Sequence, residues 1–79
     1  MQVVGVPVAP SAGSTHCVTV TGVTGTLKTG GSGALVVVSA TPVANRSGTW
    51  TVCFTIGQGI GTLYVEAGSK SLPTAMRGR

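Results

Sequence analysis

The sequence predicts an all-β fold, a small antiparallel β-sandwich or barrel of about five to seven short strands, on three observations. Apolar residues alternate with threonines at a period of two in several windows, as a half-buried strand requires. Clusters rich in glycine, proline and serine punctuate those windows about every eight to twelve residues. Helical periodicity does not survive beyond a turn, because glycine supplies 13 of the 79 residues and interrupts every window.

Taken in order, Gln2 to Val8 reads as an edge strand, weakened by Gly5 and by Pro7, which cannot donate to a ladder. Pro10-Ser11-Ala12-Gly13 is a turn. Ser14 to Thr21 places His16, Val18 and Val20 on one face and Thr15, Cys17, Thr19 and Thr21 on the other. Val23 to Lys28 is a weak sixth strand, and Thr29 to Gly33 a turn. Ala34 to Thr41 is apolar on both faces over Leu35-Val36-Val37-Val38 and reads as the most central strand. Pro42 to Gly48 is a loop. Thr49 to Ile56 has the cleanest alternation, with Trp50, Val52, Phe54 and Ile56 opposite Thr49, Thr51, Cys53 and Thr55. Gly57-Gln58-Gly59 is a turn, and Thr62 to Ala67 is the last strand, with Leu63, Val65 and Ala67 on its apolar face. The domain plan is an N-terminal arm or edge strand over 1–10, a sandwich over 11–67, and a basic, mobile tail over 68–79 without alternation. The expected core is Val18, Val20, Leu35, Val37, Trp50, Val52, Phe54, Ile56, Leu63 and Val65.

Composition narrows the function. Charged residues make up 8% of the chain, and Glu66 and His16 are the single acid and the single histidine. Most catalysis needs positioned acids, bases or metal ligands, so no catalytic residue, metal site or cofactor is expected. A surface so poor in charge has little electrostatic protection against association, which suits life in an assembly. No apolar run approaches the roughly 20 residues of a membrane-spanning helix, so no membrane role is expected. The N-terminus lacks the features of a signal peptide, and cytoplasmic synthesis is the expectation.

Three local patterns invite chemistry. Gly57-Gln58-Gly59-Ile60-Gly61 could suggest a phosphate cradle, but Thr62-Leu63-Tyr64-Val65 continues as strand where such a cradle needs a helix N-terminus. His16 and Cys17 are adjacent, and adjacent strand residues point to opposite faces, so they do not form a dyad. Asn45-Arg46-Ser47 matches a glycosylation acceptor without a secretion signal to support it. Cys17 and Cys53 lie on the threonine faces of their strands. Neighbouring strands would let them bond across the ladder; cytoplasmic synthesis favours two free thiols, and an extracellular or released-particle destination permits a disulfide. Lys70, Arg77 and Arg79 could engage an acidic partner. Aromatic residues are too few and too inward-facing for specific nucleic-acid binding.

Leu35-Val36-Val37 through Ser47-Gly48-Thr49-Trp50-Thr51-Val52-Cys53-Phe54 resembles the E-to-F strand region of immunoglobulin-like domains, where a strand and corner loop lead into an aromatic–cysteine run. The resemblance implies an Ig-like sandwich in outline. It departs at Cys53, three residues after Trp50 and so on the opposite face, and the family's core disulfide does not transfer. In overall character the chain is similar to small, all-β, leaderless accessory proteins of tailed-phage capsids. That similarity implies a virion protein that decorates or cements a capsid by binding the major capsid protein or other virion subunits. A homo-oligomer, a trimer, is the expected state. The contacts would come from the two ends, through Val3, Val4 and Val6 and through Lys70, Arg77 and Arg79. The alternative is an extracellular Ig-like adhesion or carbohydrate-binding module, which would call for an oxidised Cys17–Cys53 pair and an outward aromatic platform.

Overall fold

The computed structural model describes residues 1–79, and every regular element in it is a β-strand. In chain order these are β1 (Gln2–Val4), β2 (Ser14–Thr21), β3 (Lys28–Pro42), β4 (Trp50–Ala67) and β5 (Lys70–Gly78). All pairings are antiparallel, β1 with β2, β2 with β4, β3 with β4 and β4 with β5. β4 is the organising strand. Along one edge it carries β3 over nearly its whole length. Along the other it carries β2 on Trp50–Ile56 and then β5 on Gly59–Ala67, end to end.

A strand of 18 residues would run about 60 Å if straight, yet the longest dimension of the molecule is 34 Å. β4 therefore bends near its middle, β3 bends with it, and the five-stranded sheet folds over on itself into two layers around one core. The bend coincides with Gly57-Gln58-Gly59-Ile60-Gly61. Four residues of β4, 57–60, lie opposite Ala34 alone, between the Leu35–Ile56 and Gly33–Gly61 rungs. This bulge also changes the side-chain parity. Val52, Phe54 and Ile56 point inward before it, and Leu63, Val65 and Ala67 after it. Because the strand period is two, an uninterrupted ladder would have turned one of these sets to solvent. Gly61 itself is required by packing: a Cβ there would sit 2.6 Å from the Leu35 Cβ.

The sequence expectation of a turn at Gly57–Gly59 is thus corrected. The glycines bend a continuous strand where a hairpin was expected. Thr29–Gly33, also expected as a turn, lies within β3, where Gly30 to Gly33 pair with Gly61 to Tyr64. Val23–Lys28 is loop up to Leu27, and Gln2–Val8 is strand only to Val4, ending at Gly5 with φ +84°. The most central strand is β4, since β3 pairs with β4 alone and leaves Val36 and Val38 largely exposed. The mobile tail over 68–79 is also corrected. Lys70–Gly78 is an ordered strand whose Met76 is buried and whose Leu72 packs on the core. Pro73 sits within it and is tolerated because β5 is an edge strand.

The core holds Val18, Val20, Val23, Leu27, Leu35, Val52, Phe54, Ile56, Leu63, Val65, Ala67 and Met76, with no buried polar or charged residue. Trp50 and Val37, expected inside, lie at its margin and are half-buried. Val23 and Leu27 come from the loop between β2 and β3, which caps one end of the layers. The end of β5 is tied to the start of β2: the Ala12 N–H donates to the Arg79 carbonyl at 3.1 Å, and the Arg79 N–H donates to the Pro10 carbonyl at 2.9 Å.

Candidate functional site

The fold turns two sheet faces outward, and register specifies what each presents. On the layer of β1, β2 and the halves of β3 and β4 nearest the Val43–Thr49 loop, the cross-strand rows are Thr15–Thr55–Val36, Cys17–Cys53–Ser39 and Thr19–Thr51–Thr41, with Val4 beside Thr19. This is a lattice of hydroxyls with a sulfur pair at its centre. On the other layer the rows are Lys28–Glu66–Ser71, Gly30–Tyr64–Pro73 and Ser32–Thr62–Ala75, with Ile60 opposite Arg77. Tyr64 and Ile60 are exposed there.

Cys17 and Cys53 are direct register partners with Cα atoms 4.0 Å apart, and they form a disulfide. Cys17 is exposed and Cys53 half-buried, so the bond lies on the outer face and joins adjacent strands of one layer. That placement agrees with the parity reading of Trp50 and Cys53 and differs from the inter-sheet bridge of immunoglobulin-like domains.

His16 lies on the inner side of β2 at the edge of the core, its ring centroid 6.1 Å from that of Phe54. Its Nε2 lies 2.7 Å from the Ser14 hydroxyl, a contact with nucleophile–base spacing that sequence reasoning missed. Serine and histidine two apart on one strand share a face, and that spacing was the available signal. The direction of the bond decides its meaning. Ser14 has one hydroxyl proton and donates it to the Ser11 carbonyl, so Nε2 must donate to the Ser14 oxygen. In that arrangement the imidazole braces the Ser14 hydroxyl that closes the Ser11–Ser14 turn. No group of three or more His, Cys, Asp or Glu side chains comes together anywhere in the chain.

The residues expected to make contacts are dispersed. Val3 and Val6 pack on the chain's own core, whereas Val4 is exposed on β1. Lys70 and Arg77 are exposed at opposite ends of β5, about 23 Å apart along the strand. Arg77 and Arg79 lie together at the corner where β5 meets the Pro10–Ala12 segment. The structure thus brings the two arginines together and leaves Lys70 apart.

The largest concavity, about 480 Å³, is an open groove under the Val43–Thr49 loop. Pro42, Asn45, Arg46, Ser47, Thr49 and Trp50 line it. The loop is closed by hydrogen bonds from the Val43 N–H to the Thr49 carbonyl and from the Arg46 N–H to the Val43 carbonyl. Asn45 adopts a left-handed conformation that its short polar side chain tolerates. Comparison with known protein families, with characterised proteins and with solved structures finds no match.

Proposed function

We propose that the chain is a structural virion subunit, one that decorates or cements a viral capsid by binding the lattice of its major capsid protein. The observation that carries this is the outer surface. It holds five cationic residues and one acid among 79, and it exposes Val4, Val8, Val36, Val38, Ile60 and Tyr64. Threonine-rich sheet faces with apolar residues between the hydroxyls are fitted to burial against other protein, since little charge has to be desolvated. The Arg77–Arg79 corner supplies the positive charge for an acidic shell. The mechanism is stoichiometric: many copies bind the assembled lattice and not its free subunits, and mass action stabilises the shell. The surface disulfide fits a subunit that is oxidised once particles leave the cell. Quantifying the chain against the shell protein in purified particles tests this reading. A fixed lattice ratio is expected; absence from the particles would overturn it.

One observation favours the second reading, a carbohydrate-binding or adhesion module outside the cell. Trp50 is half-buried and lines an open groove beside Asn45 and Arg46, the arrangement of stacking surface and polar groups that sugars use. Trp50 is the sole tryptophan, so its fluorescence reports directly on that groove. Titration with an oligosaccharide panel would give a saturable change if this reading holds, and none if the groove is idle.

A further inference from the structure

The folded sheet leaves unpaired the outer edges of β1, β3 and β5 and the short Ser14–Val18 stretch of β2 that β1 does not reach. The three strands that are edges throughout are defended very differently. β1 is three residues long. β5 carries Pro73 in its middle and Lys70 and Arg77 near its ends. Short length, proline and lysine or arginine are the devices by which sheet edges avoid pairing with another chain. β3 is 15 residues long, with nine of them exposed, and pairs only with β4. No charged residue occurs between Lys28 and Arg46, and its one proline is the terminal Pro42. Apart from Lys28 and Pro42 at its ends, its edge-blunting features are the register irregularity at Gly33–Leu35 and the bulge at Val38, and Val38 holds an apolar side chain where a charged one would repel a neighbour. Val36 and Val38 are 60% and 56% exposed.

We infer that the β3 edge is an interface, and that its occupant is the β3 edge of a second copy of this chain. Antiparallel pairing of a strand with itself has two-fold symmetry, so the contact is self-complementary and closes at two subunits. With Gly33–Thr41 paired to its copy about Val37, Val36 of each subunit faces Val38 of the other. Apolar β-branched pairs at that spacing stabilise a ladder. Charge selects this edge over the alternative. Self-pairing along β5 would bring Lys70 of one copy toward Arg77 and Arg79 of the other, whereas the β3 edge carries no charge from Thr29 to Pro42. The inference does not depend on the capsid reading: a dimer that fails to bind shells, or a shell-binding monomer, would separate the two.

The test is sedimentation velocity over a concentration series, with the full chain and with Val36→Lys/Val38→Lys. The full chain is expected to reach twice its 7.8 kDa mass. The double variant is expected to dimerise more weakly by about tenfold or more, since two apolar rungs become like-charged ones. Both positions are exposed, and an unchanged far-UV spectrum checks that the variant folds. Hydrogen exchange supplies an independent readout. Amides of Leu35–Thr41 should gain protection as concentration rises, while those of β5 should not. A monomer at every concentration, an open-ended oligomer, or a dimer insensitive to both lysines would overturn the inference.

Discussion

At the scale of residues, the fold depends on a few side chains at the meeting of the two layers. Phe54 is completely buried and lies on β4 just before the bend. Phe54→Ala is expected to cost about 3–5 kcal/mol, through lost transfer energy and the cavity left behind. A domain of this size commonly has only about 4–12 kcal/mol in total, so chemical denaturation of the variant should begin without a native baseline. Gly61→Ala acts by the opposite route. The added methyl meets Leu35 at a distance no real contact shows, and overpacking of this kind costs about 1–3 kcal/mol. Its denaturation midpoint should fall, and truncating the Leu35 side chain should not restore it, because the clash is with the Leu35 Cβ, Cα and N, which alanine retains. The Cys17–Cys53 bond closes a separation of 36 residues, worth about 3–4 kcal/mol on the chain-entropy account. Because Cys17 is exposed, a mild reductant should lower the melting temperature by more than about 10 °C without prior unfolding.

At the scale of elements, β4 explains both what was legible in the sequence and what was not. Its two apolar faces, Trp50 to Ile56 and Leu63 to Ala67, are plain from alternation alone. The glycines between them look like a turn because turns and bulges use the same residue. Only the register with β3 shows that four residues bulge opposite one. β3 misled in a similar way. A run of valines on both faces usually marks a strand between neighbours, yet here the run lies on an edge. The residues were right and the environment was not, and an unpartnered valine-rich edge is itself the clue to association. β5 was missed because Pro73, Lys70 and Arg77 suppress strand patterning, and those same residues suit a solvent-facing edge. Since Met76 and Leu72 of β5 cover the core, truncation after Gly68 should abolish cooperative melting. Charge reversal at Arg77 and Arg79, which are exposed, leaves the fold intact and is the proper probe of a charged contact.

At the scale of the whole molecule, a thin core, a fastened outer face and a charge-poor surface belong together. The candidate contact residues chosen from sequence were only partly brought together. Val3 and Val6 are half-buried against the core, and Lys70 stands apart from Arg77 and Arg79. Sequence alone could not place them, because which apolar residue is spared from a core depends on how the layers close. Mass action on an assembled lattice makes a stability gain that saturates with occupancy, and reversal of Arg77 and Arg79 should weaken it with a steep salt dependence. The most direct measurement is therefore the disruption temperature of shells stripped of the chain and titrated with it. The account predicts a rise that saturates when added chain reaches its lattice ratio to the shell protein. An unchanged disruption temperature at saturating chain would contradict it.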